Sequence, residues 1–306
     1  MSGRVHSVAD SSLVFIHHPR TGGSGIIECL NNISVSENLP MSPLMTSTNR
    51  MLWDSGNRDT NAFRDKIKIH RGKFSFGMCQ NLGQKCSYFI LLRDPLQRLA
   101  SSHRYCQTFP SDETCGPLDA REVSLREWIL SQNNVLFKQL LFSSTFCNNN
   151  YLTTMNISSQ AKNFHRLSCW TKNNLILENL TANSRDNITQ YIVNNLHKMI
   201  SLVGLSTEID LTLKMLEETF KLPFTKCSLR SPKEIETNEE IKSNRVLSTH
   251  AHDESTNFDE INDDNDINVL KDDIDIQQAL SSDYAIYNEA KRIFHIQKQI
   301  MINSVR

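Results

Sequence analysis

Several common features are missing from this 306-residue chain. No apolar run approaches the ~20 residues that span a bilayer, and Met1-Ser-Gly-Arg-Val-His has no apolar stretch of the kind a secretory signal needs. As written, the sequence reads as a cytoplasmic chain without a membrane segment. No repeat is evident, which sets solenoids aside. The eight cysteines form no C-x-x-C pair, so neither a zinc signature nor a thioredoxin motif is present. Most of them read as buried thiols. Cys106 and Cys115 flank a loop and are spaced to bridge in an oxidising compartment, or to stay reduced in a cytoplasm. His250-Ala-His252 offers alternate imidazoles on a polar segment with no third ligand, and no metal is expected. A Gly-x-x-x-x-Gly-Lys-Ser/Thr loop is also lacking, which sets nucleotide-triphosphate kinases and GTPases aside.

Enough apolar material is present, at 39% of residues, for one large α/β domain or two small ones. Net charge is close to neutral only in sum. Between Asp253 and Asp275 ten acidic residues face Lys271 alone, so of 33 basic and 34 acidic residues the rest of the chain keeps 32 and 24. A basic body carrying an acidic, unordered insertion at about 228–270 suits an anionic ligand. It equally describes a solvated surface balanced by an acidic tail. No nucleic-acid partner is expected, and nothing fixes an oligomeric state.

The most informative stretch is Leu13-Val-Phe-Ile-His-His-Pro-Arg-Thr-Gly-Gly-Ser-Gly25. Its apolar run suits a buried strand that Pro19 ends. Gly22 and Gly23 allow a tight turn, and Ser24 is placed to cap a helix through Ile26, Ile27 and Leu30. Backbone N–H groups and the positive helix end would then face the loop, a geometry that wants phosphate or sulfate. A second stretch, Tyr88-Phe-Ile-Leu-Leu-Arg-Asp-Pro-Leu-Gln-Arg-Leu-Ala-Ser-Ser-His-Arg-Tyr105, ends a strand at Arg93-Asp94 and starts a helix with Pro95 in its first turn.

Together these stretches resemble the two cofactor motifs of sulfotransferases in the branch of the heparan sulfate 2-O- and 6-O-sulfotransferases and their bacterial relatives. The first is similar to H-x-P-[KR]-T-G-G-[ST]-[ST], the second to L-R-D-P-x-x-R-x-x-S-x-x-x-Y. Further likenesses are Met199 to Glu208, near F-V-G-L-T-E, and Ser282 to Phe294, near a closing D-x-x-[LI]-Y-x-x-A. The resemblance implies one domain over 1–306, an α/β fold with a doubly wound parallel sheet and a P-loop-like phosphosulfate loop, similar to nucleotide kinases. It also implies transfer of a sulfuryl group from 3′-phosphoadenosine 5′-phosphosulfate (PAPS) to a hydroxyl, with a carbohydrate the leading acceptor and a tyrosine peptide the alternative. Arg20, Thr21, Gly22, Gly23 and Ser24 would hold the phosphosulfate, and Arg93 and Ser101 the 3′-phosphate. No metal enters that scheme. The Golgi members begin with a membrane anchor, so a Golgi lumen becomes the setting if an N-terminal anchor is missing.

Two positions depart from the family. Arg20 stands where many relatives have lysine, and a guanidinium stabilises a leaving oxygen but is a poor proton donor. Where relatives place a catalytic histidine after a glycine, this chain has Lys73. His70 lies nearby, and an ordinary imidazole accepts protons near neutrality more readily than an ordinary amine. In a regular strand residues three apart face opposite sides, so both line the site only if Gly72 bends the chain. The base therefore stays open between His70 and Lys73, and a catalytically silent PAPS-fold binding protein is the competing reading.

Overall fold

The computed structural model of the chain describes residues 11–55, 64, 66–81, 85–116, 118–147, 168–227 and 263–304. Strand β1 (Ser12–Ile16) is the apolar run of the first motif, and all of its residues are buried. It pairs in parallel with β2 (Ile69–Gly72) on one edge and β3 (Cys86–Leu92) on the other. With β4 (Leu202–Leu205) these form a four-stranded, all-parallel sheet in the order β2-β1-β3-β4. A strand paired on both edges and covered on both faces has no side for water, which is why β1 reads as a continuous apolar run.

Helices α1 (Gly23–Ser36) and α2 (Ser47–Ser55) follow β1, and α3 (Pro95–Thr108) follows β3. Next come α4 (Leu125–Ser131), α5 (Val135–Leu140), α6 (Cys169–Glu178) and α7 (Ala182–Met199), with α8 (Ile209–Phe220) after β4. The described chain closes with α9 (Asp263–Lys271), α10 (Ile274–Ala279) and α11 (Ser281–Ser304). Helices flank the sheet: α1 meets β2, while α8 and α11 meet β4. The main core joins Phe15, stacked on Phe89 at 4.6 Å, to Phe220 and Phe224. A second cluster gathers Val14, Met45, Trp53, Ile67 and Met78.

Strand order locates the working end. The chain leaves β1 for β2 on one side and β3 for β4 on the other, so connections diverge at the carboxyl ends of β1 and β3. In open parallel sheets that crevice is where ligands bind.

Two expectations need correction, and one helix carried no mark in the sequence: the polar stretch 31–61 holds the end of α1 and all of α2. Helix α2 turns Arg50 and Trp53, three residues apart, inward, and Arg50 stays buried by donating to Phe74 O at 2.8 Å and to Asp54 Oδ2 at 2.7 Å. A charged residue on the inward face hid the helical period. Likewise, the acidic run is helical over Asp263–Lys271; 228–262, with His250 and His252, lie outside the described residues. Finally, the cysteines are not free thiols. Disulfides join Cys29 to Cys227, Cys79 to Cys86 and Cys106 to Cys115, Cys169 is also bonded, and no cysteine among the described residues is free. Such bonds form and persist in oxidising compartments. No described helix is long and apolar enough to cross a membrane.

Candidate functional site

The turn after β1 is tight and partly left-handed. Arg20 has φ 66° and Gly22 φ 83°, and Thr21 Oγ1 donates to His18 O at 2.8 Å to close it. A Cβ on Gly23 would sit 2.3 Å from Cδ2 of His17, so only glycine lets the helix start against that ring. Gly22 is the N-cap of α1 and supplies no side chain; Ser24, expected as the cap, is the helix's second residue. The first-turn N–H groups of an α-helix have no intrahelical partner, and with the dipole they form a positive end facing the crevice.

Beside it, β3 ends at Arg93, which is half-buried. Asp94 caps α3, its Oδ1 accepting from Leu96 N and Gln97 N at 3.1 Å each, with Pro95 in the first turn as expected. The two motifs meet directly. Arg20 Nε donates to Ser101 Oγ at 3.3 Å, and the Arg20 guanidinium lies 4.7 Å over the Tyr105 ring. Arg98, one turn before Ser101, is buried at 2% exposure. Burial pushes its pKa down to about 10; the Asp283 carboxylate opposes the fall, and like charge on Arg20 and Arg93 adds to it. Three guanidiniums thus share one neighbourhood at the diverging strand ends.

The end of β2 forms the third wall. Gly72 has φ +141°, and a Cβ there would meet the Met45 backbone at 2.5 Å, so the strand turns at a position open only to glycine. Beyond the turn Lys73 Nζ donates to Asp112 Oδ1 at 3.0 Å and lies 3.4 Å from Thr114 Oγ1. Burial would raise the Asp112 pKa, but Lys73 and Thr114 outweigh it and hold the carboxyl at about 2. Gln139 of α5 ties this wall to the loop: its Nε2 donates to His17 O at 2.9 Å and Lys73 O at 2.6 Å, and its Oε1 accepts from His18 Nδ1 at 2.6 Å. Burial holds His18 well below its ordinary pKa, with Arg98 adding to the effect, so the ring is neutral and donates through Nδ1. Pro19, Lys73, Thr114 and Gln139, with Phe74, Val135 and Trp170, line a small cleft of about 10 Å³, room for little more than one water.

Of the residues singled out from sequence, Arg20 and Ser101 touch, Arg93 stands near Arg98, and Lys73 shares the pocket with Pro19. His70 is not brought to this wall. It registers with Val14 inside the sheet, is fully buried, and meets the Trp53 ring edge-on at 5.5 Å. Neither ring nitrogen has a hydrogen-bond partner among the described residues, and burial lowers its pKa to about 4. Gly72 does bend the chain, but the bend carries Lys73 outward and leaves His70 behind.

Sequence reasoning passed over Arg98, Gln139 and Asp112 as site residues. For Arg98 a signal existed, since residues three apart share a helix face and Ser101 was already marked. Gln139 and Asp112 lie in stretches without a motif. Neither a search of protein-family models nor a search of curated proteins finds a match to this chain.

Proposed function

We propose that the chain is a PAPS-dependent sulfotransferase acting on a carbohydrate hydroxyl, with a doubly wound sheet and a phosphosulfate loop at residues 17–24. The observation that carries this reading is the Arg20–Ser101 contact, which joins residues 81 positions apart at the diverging strand ends. Around it stand a glycine-built helix start and two further arginines. Guanidiniums fork onto phosphate and sulfate oxygens, and helix N-terminal amides add donors, so the donor set fits a nucleotide with two separate oxyanion groups.

In this reading Arg20, Thr21, Gly22, Gly23 and Ser24 hold the phosphosulfate, and Arg93 and Ser101 the 3′-phosphate. The sulfuryl sulfur leaves the phosphate oxygen for the acceptor oxygen, the acceptor proton passes to a base, and adenosine 3′,5′-bisphosphate departs. Fixed positive charge lowers the barrier by neutralising the oxygens on which charge grows. Of the two candidate bases, Lys73 lies beyond the Gly72 bend and is tied to the loop through Gln139, whereas His70 sits against Trp53 inside the sheet. The disulfide set suits an oxidising lumen, where glycan acceptors are also found.

One observation favours a second reading, a binding protein without turnover: His70 is enclosed, and Lys73 is engaged by Asp112 and Thr114. Labelled PAPS incubated with glycans and tyrosine peptides, alongside thermal denaturation with adenosine 3′,5′-bisphosphate, separates the cases. Stabilisation with label transfer to a glycan supports the enzyme, transfer to tyrosine redirects the acceptor, and stabilisation alone supports the silent binder. No stabilisation at saturating bisphosphate overturns both readings.

A further inference from the structure

Arg98 is a buried charge without the partners that burial normally demands. Its side chain is almost fully enclosed, yet Nε and Nη2 bond to nothing among the described residues. The acid that feels its charge, Asp283, is committed elsewhere: Oδ2 accepts from Leu136 N at 3.1 Å and Oδ1 from Phe137 N at 2.9 Å, capping α5. The other nearby charges, Arg20 and Arg93, are of the same sign. Desolvating a guanidinium beside two cations while leaving two of its donor atoms unmet opposes folding, and a purely structural role would be served better by an apolar side chain. A dianion among the three arginines would satisfy those donors and remove the repulsion at once.

Resting on the sulfotransferase reading, we propose that Arg98 is a third guanidinium of the nucleotide site, whose Nε and Nη2 hydrogens serve the 3′-phosphate alongside Arg93 and Ser101. Position on α3 supports this choice of phosphate. Arg98 and Ser101 stand three residues apart on one helix face, and Ser101 already reaches the loop through Arg20. Nε and Nη2 form one edge of the guanidinium fork, the edge that meets two oxygens of a phosphate at once. Arg98 thereby couples the ligand to α5 and α11 through Asp283, without touching either motif's reacting end.

The test is Arg98→Met, which keeps volume and removes charge, titrated with adenosine 3′,5′-bisphosphate and with adenosine 5′-phosphate. Bisphosphate affinity is expected to fall by about ten- to a hundredfold while the monophosphate changes little, and the variant's own stability is expected to equal or exceed the wild type's. Unchanged bisphosphate affinity overturns the proposal, and so do equal losses for both ligands. Should Arg98→Met fail to fold, Arg98→Lys retains the charge without the fork, and wild-type affinity in that variant also overturns it. A wild-type chain that ignores the bisphosphate is a separate outcome, which removes the underlying reading and the proposal with it.

Discussion

Gly72 divides two polar groups that are three residues apart and live under opposite conditions. Behind it His70 is fully enclosed, its ring against Trp53 and its nitrogens unbonded among the described residues, and burial alone lowers its pKa to about 4. Ahead of it Lys73 meets Asp112, whose carboxyl sits at about 2 because partners overcome burial. His70 and Asp112 are both displaced downward, yet one displacement records missing partners and the other records abundant ones. The difference teaches where water reaches. The interior of β2 is a dry support, and the chain beyond Gly72 is a polar wall that faces the arginines.

The boundary itself should be the costliest thing to disturb. Gly72→Ala must place a Cβ 2.5 Å from Met45 N and 2.7 Å from Met45 O, at φ +141°. Backbone atoms cannot swing aside as a side chain can, so a loss of about 4 kcal/mol in urea unfolding is expected. Wild-type stability in this variant would mean that the turn is not fixed as described. Next in size is the acid response of the dry side. The unfolded His70 accepts a proton near its ordinary 6.5 and the folded one only near 4, so stability is intact above 6.5 and drains as pH falls towards 4. That displacement corresponds to roughly 3 kcal/mol. Urea midpoints at pH 7 and 4.5 measure it, and His70→Leu should shrink the difference, leaving the share contributed by the buried His18. If wild type and variant respond alike between those values, His70 is not the dry group described here.

The polar wall should answer to ligand instead. Arg93→Ala is expected to weaken adenosine 3′,5′-bisphosphate by about 2 kcal/mol, close to thirtyfold, and to spare adenosine 5′-phosphate. Stability should move by only about 0.5 kcal/mol, since Arg93 is half-buried at a strand end. Equal losses for both nucleotides would make Arg93 a general support of the wall rather than a reader of one phosphate.

How much of this was legible depended on how local each cause is. The apolar run of β1, the glycines after it, and Asp94-Pro95 at the start of α3 announce themselves, because caps and tight turns are set by neighbours in sequence. Ser124 with Glu127 forms a full capping box for the same reason. Other features needed the third dimension. Cys29 and Cys227 are 198 positions apart, and no spacing rule pairs them. Helix α2 was obscured because its inward face includes Arg50, which burial tolerates only through bonds to the distant Phe74 and Phe76 carbonyls. Which of His70 and Lys73 reaches the polar wall hung on one φ angle at Gly72. Arg98 was visible as part of a motif, but the want of partners that distinguishes it is a property of the packed interior alone.

The smallest effect concerns what holds Asp112 on the wet side. Its carboxylate receives Lys73 Nζ at 3.0 Å, Thr114 Oγ1 and N at 2.6 and 2.8 Å, and the Tyr105 hydroxyl at 3.1 Å. Both members of the Lys73–Asp112 pair are about one-fifth exposed, so the pair is neither a screened surface bridge nor a dry one. Removing the ammonium with Lys73→Met leaves Asp112 three other donors, and a loss of only about 1 kcal/mol is expected at neutral pH. The sharper signature lies in acid. Because the folded Asp112 titrates near 2 against an ordinary 3.8, its contribution is present above 3.8 and lost as pH falls towards 2. Burial, left with less opposition, should lift the carboxyl in Lys73→Met towards its ordinary value, which narrows that window and leaves less stability to be lost in acid. Measured in a His70→Leu background, which removes one buried histidine's share of the acid response from variant and parent alike, unfolding at pH 3 relative to pH 7 isolates the effect. A Lys73→Met variant that loses as much stability between those pH values as its parent would show that Thr114 and Tyr105 hold Asp112 unaided.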